Sequence, residues 1–78
     1  MNSSKYLIID CNGIECSVVF SHLFTHNQFG LGKNVISGGF CYRNQHGSYQ
    51  VYGKSVSMNV ESRPEDARIL DELLETEY

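Results

Sequence analysis

His22 and His26 lie four residues apart. On a helix both imidazoles would leave from one face and could ligate one metal ion. Cys11, Cys16 and Cys41 could complete a tetrahedral set. The spacing fits no such site: there is no Cys-x-x-Cys, and Cys16 to His22 is short. The other reading is that His22 covers the edge of the core and the cysteines are small buried hydrophobes. No metal is expected. A nucleophilic cysteine needs a base or a helix N-terminus to lower its pKa, and each cysteine here falls in a segment that reads as a strand. Ser55 and Ser57 lack the Gly-x-Ser-x-Gly elbow. Gly30-Leu-Gly-Lys33 lacks the remainder of a phosphate loop and leads into a strand-like run, Asn34-Val35-Ile36, instead of a helix. The acid pairs Glu65-Asp66 and Asp71-Glu72 fall on a solvated helix with no cleft for acid–base work. No catalytic set and no cofactor loop emerge, so the chain is expected not to be an enzyme.

Two surfaces remain that could do work. The first is acidic. Positions 61–78 carry seven Asp and Glu against Arg63 and Arg68, a net of −5, whereas positions 1–60 carry four Lys and Arg against Asp10 and Glu15, a net of +2. Asp66, Asp71, Glu72 and Glu75 are the candidates for steering a basic partner groove; the alternative is a solvated face that keeps a small protein soluble. The second is aromatic. Tyr42, Tyr49 and Tyr52, with Tyr6 and Phe40, could form a platform on one sheet face. A net charge of −3 argues against nucleic acid as its partner, since phosphate neutralisation supplies most of such affinity. Cross-strand aromatic pairs also stabilise hairpins on their own account, and a tyrosine-rich face suits a protein interface.

These residues must be positioned by few elements. The chain has 78 residues, 41% apolar and 19% charged, which reads as one globular domain over 1–78. A domain of this size buries only about 60% of its unfolded surface, and roughly 3–5 kcal/mol of stability is expected. No apolar run approaches the ~20 residues of a membrane span, and no signal-peptide core is visible, so a cytoplasmic location is expected.

Lys5–Cys11 and Ile14–Phe20 read as a hairpin turning at Asn12-Gly13, because both residues tolerate positive φ. Leu7, Ile9, Cys11, Ile14, Cys16, Val18 and Phe20 then share one face, the expected core. Ser21–His26 could be one helical turn capped by Ser21, broken by Gly30-Leu-Gly32. Positions 34–43 and 48–60 read as a second hairpin around Asn44-Gln-His-Gly47, with Phe40 and Tyr42 in parity with Tyr49 and Val51. The apolar parity switches after Gly53, which calls for a bulge at Gly53-Lys54 or a strand packed on both sides. Ser62-Arg-Pro-Glu65 reads as a capping box, with Ser62 as the cap and Glu65 reaching back to its amide. A helix follows to about Glu75, with Ala67, Ile69, Leu70, Leu73 and Leu74 as its apolar stripe and Asp66, Arg68, Glu72 and Glu75 outside. The expectation is an α+β, two-layer domain: an antiparallel sheet of two hairpins with one C-terminal helix packed across it.

Ser37-Gly-Gly-Phe40, Val51-Tyr-Gly-Lys-Ser-Val-Ser57 and Ser62-Arg-Pro-Glu-Asp-Ala67 together resemble a group of small uncharacterised bacteriophage and prophage accessory proteins. The likeness covers about positions 34–70. It implies no catalytic residue. It implies the company of small phage proteins, many of which bind and disable a host protein. The functional expectation is therefore a non-enzymatic protein that binds a host protein or complex directly, as an anti-CRISPR inhibitor of a host defence complex does. The alternative is a small structural or self-assembling module of a virion or prophage, a homodimer joined through strand edges.

Overall fold

The computed structural model of the protein describes residues 3–75, with side chains up to Glu72. Its elements run β1 (Ser4–Cys11), β2 (Ile14–Ser21), α1 (His26–Gly30), β3 (Val35–Arg43), β4 (Tyr49–Tyr52), β5 (Lys54–Ser55), β6 (Val60–Glu61) and α2 (Asp66–Glu75). The chain is a small α/β protein: β1 to β4 form one antiparallel sheet in the order β2-β1-β3-β4, and a short helix closes the sequence. β5 and β6 pair separately.

The first hairpin follows from its turn. Asn12 and Gly13 have φ of 57° and 89°, the left-handed pair of a type I′ turn. The Asp10 carboxylate accepts the Gly13 amide at 2.8 Å. Pairing runs unbroken from Cys11 opposite Ile14 to Ser4 opposite Ser21. The face shared by Leu7, Ile9, Val18 and Phe20 is packed as expected, against Phe29, Val35 and Met58. The opposite face is packed too. Tyr6 and Ile8 lie fully buried with Cys41 and Leu70, flanked by Val19, Ile36, Tyr49, Val51 and Ile69. β1 is a central strand, so both of its faces are covered: α2 lies over one, α1 and the β5–β6 segment over the other.

The second hairpin departs from the sequence reading by one residue. Arg43 stands opposite Tyr49, so the connection is the five residues 44–48 and not four. The Asn44 amide donates to the Ser48 carbonyl at 2.8 Å, and the Asn44 side-chain oxygen accepts the His46 and Ser48 amides. A one-residue slip moves every side chain of the strand to the other face. Phe40 therefore pairs with Tyr52 and Tyr42 with Gln50, while Tyr49 and Val51 face the other way.

The long strand expected over 48–60 is broken. Gly53 has a φ of +75° and its carbonyl accepts the Ser62 amide at 3.0 Å. The chain therefore leaves the main sheet after Tyr52 instead of bulging and continuing. It then makes the β5–β6 hairpin around positions 56–59.

The helices are displaced from their expected starts. Ser21 makes a local turn, accepting the Leu23 amide on its hydroxyl and the Phe24 amide on its carbonyl. α1 begins later, where the Thr25 amide donates to the Gln28 side chain at 2.8 Å. α2 begins at Asp66. The Ser62 amide is occupied by Gly53, so Glu65 does not reach back to it. Asp66 makes the reach-back bond instead, accepting the Arg63 amide at 3.0 Å, while its own amide donates to the Arg63 carbonyl.

Candidate functional site

The acidic candidates separate once placed. Asp66 has 0% exposure. Its carboxylate accepts the Tyr6 hydroxyl at 2.6 Å and the Arg63 Nε at 2.9 Å. Arg63 Nη2 lies 2.8 Å from both Asp66 and Glu15. This chain, buried at Tyr6 and Asp66 and reaching the surface through Arg63 to Glu15, ties the start of α2 to β1 and β2. Burial first, then the neighbouring carboxylate, pushes the Tyr6 hydroxyl far above its usual pKa, so it remains a donor. Asp66 thus points inward, not outward as its helical position implied. Asp71 is half-buried, and its carboxylate accepts the Tyr49 amide at 2.8 Å. Glu72 is exposed, and the side chain of Glu75 lies outside the described residues. The row of four carboxylates is not a single exposed patch.

The tyrosines separate as well, for the register reason given above. Tyr49 packs beside the cluster under α2. Tyr42 and Tyr52 lie on the opposite face with Phe40. There the rings form a continuous chain. Phe24 meets Phe29 edge-on at 5.7 Å, and Phe29 stacks on Phe20 at 4.3 Å. Phe20 meets His26 at 5.5 Å, and His26 meets Phe40 at 6.0 Å. Phe40 stacks on Tyr52 at 5.5 Å, and Tyr52 meets Tyr42 at 6.1 Å. The middle of this chain is buried and both ends emerge: Tyr52 and Phe24 are each 45% exposed, and Tyr42 is half-buried. Lys5 Nζ sits 6.0 Å from the Phe40 ring centre, the outer range of a cation–π contact. The Tyr52 hydroxyl donates to Ser3 at 2.8 Å, which fixes the ring.

Gly39 makes this packing feasible. A Cβ there would lie 2.6 Å from the Tyr52 carbonyl oxygen. Its bare backbone also lets His26 Nε2 approach the Gly39 carbonyl at 2.8 Å, with Nε2 as the protonated donor. Burial lowers the His26 pKa from its usual value, so the ring is held neutral inside the aromatic chain. No protein-family model, no curated protein and no solved structure matches this chain. The site therefore rests on its own geometry.

The residues considered for metal or nucleophilic chemistry are dispersed. His22 is exposed in the turn before α1, whereas His26 is buried in α1. Among the described residues no three His, Cys, Asp or Glu side chains converge, and no helix is long and apolar enough to cross a membrane. Cys41 is buried, which raises its thiol pKa to about 11. Cys16 is raised by its hydrogen bond with Cys11, the diagonal neighbour that the hairpin register places on the same face. Sequence reasoning found Phe40, Tyr42 and Tyr52, placed Phe20 on the core face and weighed His26 only as a metal ligand, and did not single out Phe29. The signal for it was present: Phe29 follows His26 by three residues, the spacing that sets both on one helical face.

Proposed function

We propose that this protein acts by direct, non-enzymatic binding to a host protein, and that the exposed end of its aromatic chain is the docking face. The observation that carries this reading is the ordered strip in which Phe40 stacks on Tyr52 and Tyr52 meets Tyr42 at a tilt, with Tyr52 exposed. Tyrosine supplies rigid contact area at low entropic cost and is enriched among the few residues that dominate binding energy at protein interfaces. Here Tyr52 is already fixed by stacking on Phe40 and by the Ser3 hydrogen bond, so little ordering cost remains for it. The partner that fits is an apolar or aromatic protein surface carrying a carboxylate for Lys5. The acidic helix is less suited to this role, because Asp66 and Asp71 are engaged within the fold.

The resemblance to phage accessory proteins supports a host defence complex as the partner, with inhibition by occupation as the mechanism. The experiment is a phage challenge. A bacterial host with active CRISPR–Cas immunity expresses the chain, and plaques of a targeted phage are counted. The reading expects plaquing to be restored by the wild-type chain and lost with the double variant Tyr42→Ser, Tyr52→Ser. Restoration by both proteins would remove the aromatic strip from the account. Failure of the wild-type chain, against each defence type tested, would remove the inhibitor reading.

A further inference from the structure

The sequence pattern reads all three cysteines as buried hydrophobes. Only Cys41 is buried; Cys11 is exposed and Cys16 half-buried. These two stand on the first hairpin, where the register fixes their relation. Cys11 is opposite Ile14, and Ile9 is opposite Cys16. Opposite residues share a face, as do alternate residues of one strand. The four side chains therefore form a square, with the thiols on one diagonal and the isoleucines on the other. The thiols are in contact across it: Cys16 is hydrogen-bonded to Cys11, and Cys16 Sγ lies 3.9 Å from the Ile14 carbonyl oxygen.

Two accessible thiols in contact can join as a disulfide or hold one soft ion between them. The diagonal separates these outcomes. Diagonal residues of an antiparallel pair stand about 7–8 Å apart, beyond the ~6.8 Å that a disulfide spans without moving the backbone. The backbone here is held. The Asp10 carboxylate accepts the Gly13 amide at 2.8 Å, and the Asp10 amide donates to the Asn34 carbonyl at 2.9 Å. An ion adds two metal–sulfur bonds, each comparable to the ~2.3 Å of a zinc thiolate, and so bridges the wider gap.

The donor count then selects the ion. A structural zinc takes four ligands, and among the described residues no three His, Cys, Asp or Glu side chains converge. Cu(I) is soft, is selected by thiolates and is satisfied by two of them in line. Ile9 and Ile14 place an apolar side chain on either side of the position between the sulfurs.

We propose that Cys11 and Cys16 bind one Cu(I) ion as a two-coordinate bis-thiolate at the turn end of the first hairpin. As the two copper–sulfur bonds form, each thiol gives its proton to solvent, and the product is an anionic complex. Copper stays Cu(I) throughout, so no oxidant or reductant enters. The hydrogen bond with Cys11 holds the Cys16 proton above its usual pKa. Binding at neutral pH therefore releases protons and strengthens as pH rises, by up to about a hundredfold per unit for two protons. The site lies at the opposite end of β1 from Lys5. It does not depend on the binding role assigned to the aromatic strip.

The test is an anaerobic titration of the coloured Cu(I)–bicinchoninate complex with the whole chain. The wild-type chain is expected to withdraw one copper per chain. Cys11→Ser and Cys16→Ser are each expected to leave the copper with the chelator. Cys41→Ser is expected to withdraw it as wild type does, because that thiol is buried and its pKa is raised to about 11. If a serine variant does not fold, alkylation of the wild-type chain decides: copper is expected to protect Cys11 and Cys16 from iodoacetamide and to leave the rate at Cys41 unchanged. No withdrawal by the wild-type chain overturns the proposal, as does withdrawal that survives Cys16→Ser. One copper per two chains assigns the ion to a contact between copies and also overturns it. So does a Cys11–Cys16 disulfide formed with glutathione disulfide by a chain that withdraws no copper.

Discussion

Replacing Asp66 by Ala would test whether the start of α2 is held by a buried polar chain. The Tyr6 hydroxyl is fully buried and donates to Asp66 at 2.6 Å. Orphaning it costs about 1–3 kcal/mol. The Arg63 guanidinium loses its contacts at 2.8 and 2.9 Å, but its side chain is 25% exposed and it keeps Glu15. Its share must therefore be discounted for solvent and is about 1 kcal/mol. The lost bond to the Arg63 amide adds about 1 kcal/mol. The sum, about 3–5 kcal/mol, agrees with the usual cost of breaking a buried polar pair from one side. It equals the whole stability expected for a chain of this length, about 3–5 kcal/mol.

Asp66→Ala should thus lack a folded baseline in urea at neutral pH, and a protecting osmolyte would be needed to bring the transition into range. The sharper test is a cycle with Tyr6→Phe. In the wild-type background that change removes one bond to a carboxylate and should destabilise by about 1–2 kcal/mol. In the Asp66→Ala background it removes an orphaned hydroxyl and should be neutral or stabilising. Urea titration followed by circular dichroism measures both. An equal cost of Tyr6→Phe in the two backgrounds would refute the reasoning, as would an Asp66→Ala midpoint close to wild type.

Three further outcomes follow from the same geometry. Ser62→Ala should cost less than about 0.5 kcal/mol in the same titration, below the ~1 kcal/mol of a working N-cap, because the reach-back bond belongs to Asp66; a full capping loss would contradict that. Burial lowers the His26 pKa, so the unfolded chain takes up this proton first. The stability it contributes is complete above about pH 6.5 and is lost as pH falls below it. The melting temperature should decline there, and His26→Gln should flatten the decline. Glu72→Gln should leave both folding and partner binding unchanged, since an exposed helix charge contributes little to stability; a slowed, salt-insensitive association would return the acidic helix to the interface.

The first hairpin was legible because everything that fixes it is local. Asn12-Gly13 selects the turn, the turn selects the register, and the register puts Leu7 and Ile9 with Val18 and Cys16. The second hairpin has no such short signal. Asn44, Gln45, His46, Gly47 and Ser48 allow a four- or a five-residue connection, and only the bond between Asn44 and Ser48 decides. That one residue separated Tyr49 from Tyr42 and Tyr52, and with it the composition of the candidate face. Gly53 marked the break in parity. Whether its left-handed backbone keeps the chain in the sheet or leads it out depends on Ser62, nine residues later.

The carboxylates posed a different problem. Glu65 and Asp66 are adjacent and chemically alike. Which of them turns inward is set by where Tyr6 presents its hydroxyl, a contact sixty positions away. The coarse architecture, an antiparallel sheet and a C-terminal helix, was readable from pattern and punctuation. The partition between core and surface was not, because β1 is central and packed on both faces. A period-two pattern reports that only when one face is polar.

The central claim is that the exposed aromatic strip binds a host protein. It is tested most directly by recovery from host lysate, with wild-type chain and the Tyr42→Ser, Tyr52→Ser variant as paired baits and quantitative mass spectrometry as the readout. A hot-spot loss of about 2 kcal/mol or more weakens binding roughly thirtyfold. The account predicts a subunit of a host defence complex near one-to-one with the wild-type chain and depleted from the variant, whose circular dichroism spectrum is unchanged. Equal recovery of that subunit by both baits, or recovery of the chain alone, would contradict it.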